Sequence, residues 1–275
     1  MFTNVCFSSI IKRDKLITTE VFMLSVERYE KILEQLELNK IVKVSELSTE
    51  LGVTEKTIRI DLEALEQKGL VKRIHGGAVL QEEDTRIFPI SERQAKNNES
   101  KAQIALEAVK LIQPLETVLM DGGSTTLQVA KLLGDFPVTV ITNDLRIAFE
   151  LIEKDQVQLM VLGGSKIGAS SSLYGVQASE LLRKIRVNHL FFGATGVSIE
   201  HGLTVFNSFH VEWKKQIIQC ADRVTLLAES TKFEKVGLIQ FATLADVDEI
   251  ITDSGLDNKI QKALEKQSIP VTLSK

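Results

Sequence analysis

Residues 53–80 read "VTEKTIRIDLEALEQKGLVKRIHGGAVL", a stretch that holds both ends of a helix and the hairpin after it. Thr54 is a good N-cap, and Glu55 puts a negative charge in the first turn, where the helix dipole favours it. Ile58, Leu62 and Leu65 recur at helical spacing, which predicts an apolar stripe turned inward, and Gly69 stops the helix. "LVKRIHGGAVL" reads as two short strands around "HGG", a wing. Upstream, Tyr29, Ile32, Leu33 and Leu36 follow helical spacing from Val26, predicting a helix of about three turns. A β-like "IVKV" and a second helix, "SELSTELG", closed by Gly52, lead through Val53 into the quoted stretch. Three short helices with a Gly-containing turn before the third, and a wing after it, are one way of presenting a helix to the major groove of DNA.

The outer face of the third helix decides between DNA, protein and water as its neighbour. At about 100° per residue, Lys56, Arg59, Ile60 and Glu63 fall on the side away from Leu62 and Leu65. Lysine and arginine reach guanine edges or phosphates, and an apolar side chain such as Ile60 can rest on a thymine methyl. Lys68, Lys72, Arg73 and His75 cluster around the helix end and the wing, placed to neutralise phosphates. Charge totals do not advertise nucleic acid: the 275-residue chain has 33 Lys and Arg against 37 Asp and Glu, and residues 24–80 have nine against ten. Any DNA binding must come from the placement of charge. The competing readings are a solvated face with one stray isoleucine, and a winged helix that docks to protein.

Residues 24–79 resemble the DNA-binding segment of DeoR-type bacterial transcriptional regulators, whose pattern runs as TIRRDL, then LE, then G, then a basic residue and HGGA. Thr57, Ile58, Arg59, Asp61, Leu62, Leu65, Glu66, Gly69, Arg73, His75, Gly76, Gly77 and Ala78 fit it. Ile60 departs from it, standing where the family usually has a second arginine. The resemblance implies double-stranded operator DNA as a partner, with Thr54, Lys56, Thr57, Arg59, Ile60, Lys72, Arg73 and His75 as the contacts.

Residues 1–22 show no firm periodicity and read as an N-terminal extension before the winged helix of residues 23–80. Residues 81–100 are polar, contain Pro89 and read as a linker to a second domain, 101–275. There "AQIALEAVKLI" is helical, "TVLM" a buried strand, "TTLQVAKLLG" a helix, "PVTVIT" a strand, "RIAFELIEK" a helix and "VQLMVLGG" a strand. "HLFFGA", "RVTLLAE" and "DEIIT" follow as further strands. Such alternation predicts an α/β domain, Rossmann-like, with a mostly parallel sheet covered on both faces. No apolar run approaches the roughly 20 residues of a membrane span and no secretory signal opens the chain, so a cytoplasmic location is expected. Cys6 and Cys220 lie far apart with no histidine cluster nearby, which indicates two reduced thiols rather than a disulfide or a metal site.

"MDGGSTTLQVAKLL" sets Asp121, Gly122, Gly123, Ser124, Thr125 and Thr126 between a buried strand and a helix. Backbone N–H groups at a helix N-terminus, glycines and hydroxyls can together hold an anion, although the same residues also cap ordinary βα turns. The Lys-Ser/Thr ending of a P-loop is absent. "TND", residues 142–144, and "LGGS", residues 162–165, follow at strand ends, where open α/β sheets collect ligands. The order of "DGGSTT", "TND", "GG", "FFGATG", "EWKKQII" and "LLAESTKF" over residues 101–253 is similar to the sugar-phosphate-sensing domain of the same regulators, on a scaffold resembling ribose-5-phosphate isomerase. The resemblance implies a phosphorylated sugar effector, no cofactor and a homo-oligomer, dimer or tetramer. It assigns the phosphate to Ser124, Thr125 and Thr126 beside Gly122 and Gly123, the sugar hydroxyls to Asp121, Thr142, Asn143 and Glu212, and added charge to Lys214 and Lys232. His189 and Glu229 depart from the family, which often has Asp at the first place and usually at the second. The alternative is a working isomerase with a DNA-binding appendage, but the matching turn "FGATG" lacks the carboxylates such enzymes use to move protons.

Overall fold

The computed structural model describes residues 24–39, 41–67, 70–80, 98–166 and 170–274. The expected extension 1–22, Cys6, Lys68, Gly69 and residues 81–97 of the expected linker lie outside these. Residues 98–100 of that linker open a helix instead.

The N-terminal unit packs α1 (Ser25–Asn39), α2 (Val44–Leu51) and α3 (Glu55–Gln67) against a small antiparallel sheet. Its strands run in the order β1 (Ile41–Lys43), β3 (Gly77–Leu80), β2 (Val71–Ile74). The apolar positions read from periodicity form its core: Ile32, Leu33 and Leu36 of α1 meet Ile58, Leu62 and Leu65 of α3, all buried. Gly52 ends α2 with φ 65°, the left-handed conformation that glycine adopts without a Cβ penalty. Gly77 is required for another reason, since a Cβ there would stand 2.0 Å from the Val42 carbonyl oxygen. Any side chain would prise the wing off β1.

The C-terminal unit is built on a seven-stranded parallel sheet in the order β15, β14, β12, β9, β4, β5, β6. The strands span β4 (Thr117–Met120), β5 (Val138–Thr142), β6 (Val157–Val161), β9 (Val187–Phe192), β12 (Ala221–Leu227), β14 (Glu249–Asp253) and β15 (Val271–Ser274). Alternate residues serve opposite faces, as strand geometry demands. Val118, Met120, Val140, Phe191 and Leu227 pack on one side with α4 (Asn98–Val109), α5 (Ser124–Leu132) and α6 (Leu145–Leu151). Leu119, Ile141, Leu190, Phe192 and Leu226 pack on the other with α7 (Val176–Leu182), α8 (Phe209–Gln219) and α9 (Asn258–Lys266). The chain lays down β4, β5 and β6 in one direction, makes the hairpin β7 (Ser165–Lys166) and β8 (Leu173–Tyr174), and returns to place β9 on the free side of β4. A switch point therefore opens between the carboxyl ends of β4 and β9.

A second antiparallel sheet, β10 (Gly196–Ser198), β11 (Gly202–Val205) and β13 (Ile239–Ala242), stands beside the parallel one. Phe206, just past β11, joins the winged-helix core, and Leu238, just before β13, packs against it.

Candidate functional site

Two sites follow from this frame. On α3, Lys56, Arg59, Ile60 and Glu63 are exposed while Ile58, Asp61, Leu62 and Leu65 are buried. Ile60 is 56% exposed, so the oddity in the sequence is a genuine apolar residue on an outer face. The Thr54 side chain starts the helix by accepting the Thr57 N–H at 3.2 Å, and their hydroxyls meet at 2.9 Å. Arg59 pairs with Glu55 at 2.5 Å, and Arg73 with Glu66 at 2.7 Å. Glu66 also accepts the Arg73 N–H, and these bonds, the backbone one first, hold its carboxyl below the ordinary range. Exposed pairs of this kind are worth little, so a phosphate can replace either carboxylate. Lys72 and His75 stand exposed on the wing.

Sequence reading missed what fixes α3 in place. Arg28 on α1 grips Asp61 with two parallel bonds, Nε to Oδ2 at 2.7 Å and a terminal nitrogen to Oδ1 at 2.9 Å. The hydrogen bond to Asp61 raises the Arg28 pKa further, so the guanidinium is charged at every physiological pH.

The second site lies at the switch point. Asp121 follows β4 and is buried. Its Oδ1 accepts the Trp213 indole N–H at 2.8 Å and its Oδ2 accepts the Lys214 ammonium at 2.6 Å. Lys214 also donates to the Gly193 carbonyl, just past β9, at 2.7 Å, and stands over the rings of Phe192 and Phe241. A charge so enclosed is held by its partners rather than by water. Beside it, Ser124 opens α5 behind Gly123, with no side chain capping the helix start. Free N–H groups are thus turned toward the same end of the sheet. Thr126 donates to the Gly123 carbonyl at 3.0 Å, and Thr125 is half-buried.

The "TND" turn does two jobs. Thr142 donates its hydroxyl to the Met120 carbonyl at 2.7 Å and accepts the Asp144 N–H. Asn143 donates to the Leu173 carbonyl, and its buried Oδ1 has no partner. Asp144 caps α6 through the N–H groups of Arg146 and Ile147 and takes the hydroxyls of Ser171 and Ser172 at 2.6 and 3.0 Å. Gly122 lets that serine segment close over the loop: a Cβ would lie 1.9 Å from the Ser172 hydroxyl.

Of the remaining sequence candidates, Glu212 is exposed and accepts from Gln216, one position out of phase with the inward-facing Trp213 and Lys214. Lys232 is buried in a short turn beyond β12, a strand separated from β4 by β9. Glu229 in the same stretch meets the buried Lys101 at 3.3 Å. His189 turns out to be a core residue. It bonds Thr225 at 2.7 Å, lies against Phe191, and burial pushes its pKa down to about 4. Cys220 is a buried free thiol whose pKa burial raises to about 11. Trp213, Ser171, Ser172 and Lys101 escaped sequence reading. An i, i+1, i+4 inward pattern of Trp213, Lys214 and Ile217 was the available signal for the first. Among the described residues no helix is long and apolar enough to cross a membrane, and no cluster of three or more metal-type ligands occurs.

Comparison with known proteins matches a DeoR-like helix-turn-helix domain over residues 28–84 and a DeoR C terminal sensor domain over residues 96–254. An uncharacterised HTH-type transcriptional regulator of Bacillus subtilis, YulB, is 38% identical across 91% of this chain and 97% of its own length. A protein of Escherichia coli O157:H7 put forward as the aga operon transcriptional repressor is 32% identical across 90% and 93%. Among solved structures, ribose 5-phosphate isomerase from Methanocaldococcus jannaschii is similar over 51% of this chain and 56% of its own, with 19% identity and a TM-score of 0.37.

Proposed function

The chain belongs to the DeoR family of DNA-binding transcriptional regulators, and we propose that it is a repressor of carbohydrate-metabolism genes whose hold on operator DNA is relieved by a phosphorylated sugar. The observation that carries the effector reading is the Asp121–Lys214 pair beside the uncapped start of α5. The Lys214 cation and the free N–H groups of α5 suit a phosphate, and the Asp121 carboxylate beside them suits a sugar hydroxyl. The phosphate sits at Ser124, Thr125 and Thr126 against the Gly122–Gly123 backbone, with Lys214 and Lys232 supplying charge. Asp121 and the unsatisfied Oδ1 of Asn143 take sugar hydroxyls. Thr142 shapes the turn, and Glu212 stands at the rim. The "FGATG" turn offers no carboxylate, and the Thr195 N–H is spent on the Thr204 carbonyl.

On the DNA side, α3 enters the major groove. Lys56, Arg59 and Thr57 reach phosphates or base edges, Ile60 meets a thymine methyl, and Lys72, Arg73 and His75 hold the flanking backbone with the Thr54 turn. Repeated operator half-sites take one α3 each, so the working form in the cytoplasm is a homo-oligomer. Anisotropy titration of a labelled fragment from the chain's own promoter region tests this reading. One sugar phosphate in a panel is expected to weaken binding about five- to 150-fold, and its unphosphorylated counterpart to do nothing. Binding indifferent to every member of the panel overturns it.

A further inference from the structure

We propose that the junction between Glu30 and Ser208, seated beside Phe206 and Leu238, is the element through which the pocket acts on the DNA-binding helix. The inference rests on reading the switch point as the effector pocket and deepens it. Ser208 precedes α8 and its own side chain caps no helix N–H, while the neighbouring Asn207 Oδ1 accepts the Phe209 N–H at 2.9 Å, one cap from within the unit. The carboxylate of Glu30, on α1 of the winged helix, supplies one from the other unit: Oε1 accepts the Ser208 N–H at 2.5 Å and Oε2 the Ser208 hydroxyl at 3.0 Å. An anion at a helix N-terminus is favoured by the dipole as well as by these bonds. Phe206, 9% exposed and part of the winged-helix core, makes the contact more than a surface pair.

What lies at each end of this junction gives it a use. Five and six residues along α8 from Ser208, Trp213 and Lys214 hold Asp121 in the pocket. An occupant that takes Asp121 or Lys214 as a partner competes with those bonds for the same two charges and pulls on the side chains that hold α8. An α-helix of eleven residues is stiff, so a shift at 213–214 arrives at 208. Two residues before Glu30 on α1, Arg28 clamps Asp61 of α3. A second route runs beside the first. Phe233, next to Lys232, bridges to Val197 of β10, and the chain from there reaches Leu238 at the winged-helix core. Lys214 and Lys232, both assigned to the phosphate, are therefore each continuous with one half of the junction.

The test is a double-mutant cycle on the full chain, read by amide hydrogen exchange with neither sugar nor DNA present. Asp121→Asn and, independently, Lys214→Met release the pocket end of α8. Each is expected to raise exchange of α1 amides about fivefold or more in the otherwise wild-type chain, and by clearly less in a Glu30→Ala background. Glu30→Ala alone is expected to raise exchange in the first turn of α8, which keeps the proposal testable if both pocket variants fold poorly. Raised exchange in α8 with α1 unchanged overturns the proposal. So does an equal rise in α1 with Glu30 absent, or an α8 first turn indifferent to Glu30→Ala. A panel of sugar phosphates without effect on operator affinity counts against the effector reading instead, because no step of this cycle uses one.

Discussion

Asp61→Ala tests the physical account of how the recognition helix is held. Asp61 is 1% exposed and its carboxylate is taken up by the two Arg28 bonds of 2.7 and 2.9 Å. Removing one partner of a buried pair costs about 3–5 kcal/mol, mostly because the other charge is left without compensation. The Arg28 side chain retains 14% exposure, so water can reach it after the change and the lower end, about 3 kcal/mol, applies. Hydrogen exchange of peptides from α1 and α3 reads this locally, which matters in a chain with two units where a single unfolding transition is not assured. An opening free energy lowered by about 3 kcal/mol corresponds to exchange roughly 150-fold faster. Arg28→Met leaves a more deeply buried carboxylate alone and is expected to cost at least as much. The double variant Arg28→Met/Asp61→Leu replaces the pair by apolar groups and recovers most of the loss. Acceleration of less than about fivefold in Asp61→Ala, or simple additivity in the double variant, refutes the idea that this pair anchors α3.

Three further outcomes follow from the same geometry. Ile60→Arg adds one phosphate-reaching cation to the outer face of α3, so the slope of log affinity against log salt steepens by about 0.9; an unchanged slope and unchanged base preference mean that this face does not meet DNA. Burial pushes the His189 pKa down to about 4 from the ordinary 6.5, so its contribution is intact above pH 6.5 and is lost as pH falls toward 4; about 2 kcal/mol should be gone at pH 5. Urea melts followed by Trp213 fluorescence at pH 7.5 and 5 read that loss, and His189→Gln should remove it. Gly122→Ala drives a Cβ into the Ser172 hydroxyl, breaking its bond to Asp144; the expected cost is about 1 kcal/mol in stability, together with weaker sugar-phosphate binding by calorimetry, and unaltered binding counts against the serine segment covering the site.

The winged helix was legible because its signals are local. Gly52, Thr54 and the stripe Ile58, Leu62, Leu65 each act within a turn or two of chain, and they produce the elements expected from them. The strands β4, β5, β6, β9, β12 and β14 were legible as short apolar runs for the same reason. β15 and the sheet of β10, β11 and β13 were not. "GVS" and "GLTV" are too short to show alternation, and their pairing is decided by neighbours distant in sequence. At the switch point, Asp121 and Lys214 stand out in the sequence separately, but their bond joins positions 93 residues apart and no periodicity reports it. The resemblance sets Glu212 among the hydroxyl ligands, and the motif alone does not say which side of α8 faces inward. Trp213 and Lys214 take that side, and the phase of the helix follows from them. Arg28 went unremarked because a lone arginine on an amphipathic helix looks solvated until its partner is known.

The junction at Glu30, Ser208, Phe206 and Leu238 also bears on inheritance. A lineage that retains it can replace the strand-end residues around Asp121, and so answer to a different metabolite, without rebuilding α3. It can equally rewrite the outer face of α3, where Ile60 stands exposed. A chimera that joins the winged helix of one relative to the sensor of another should therefore keep its inducibility when this small set is transplanted as a block.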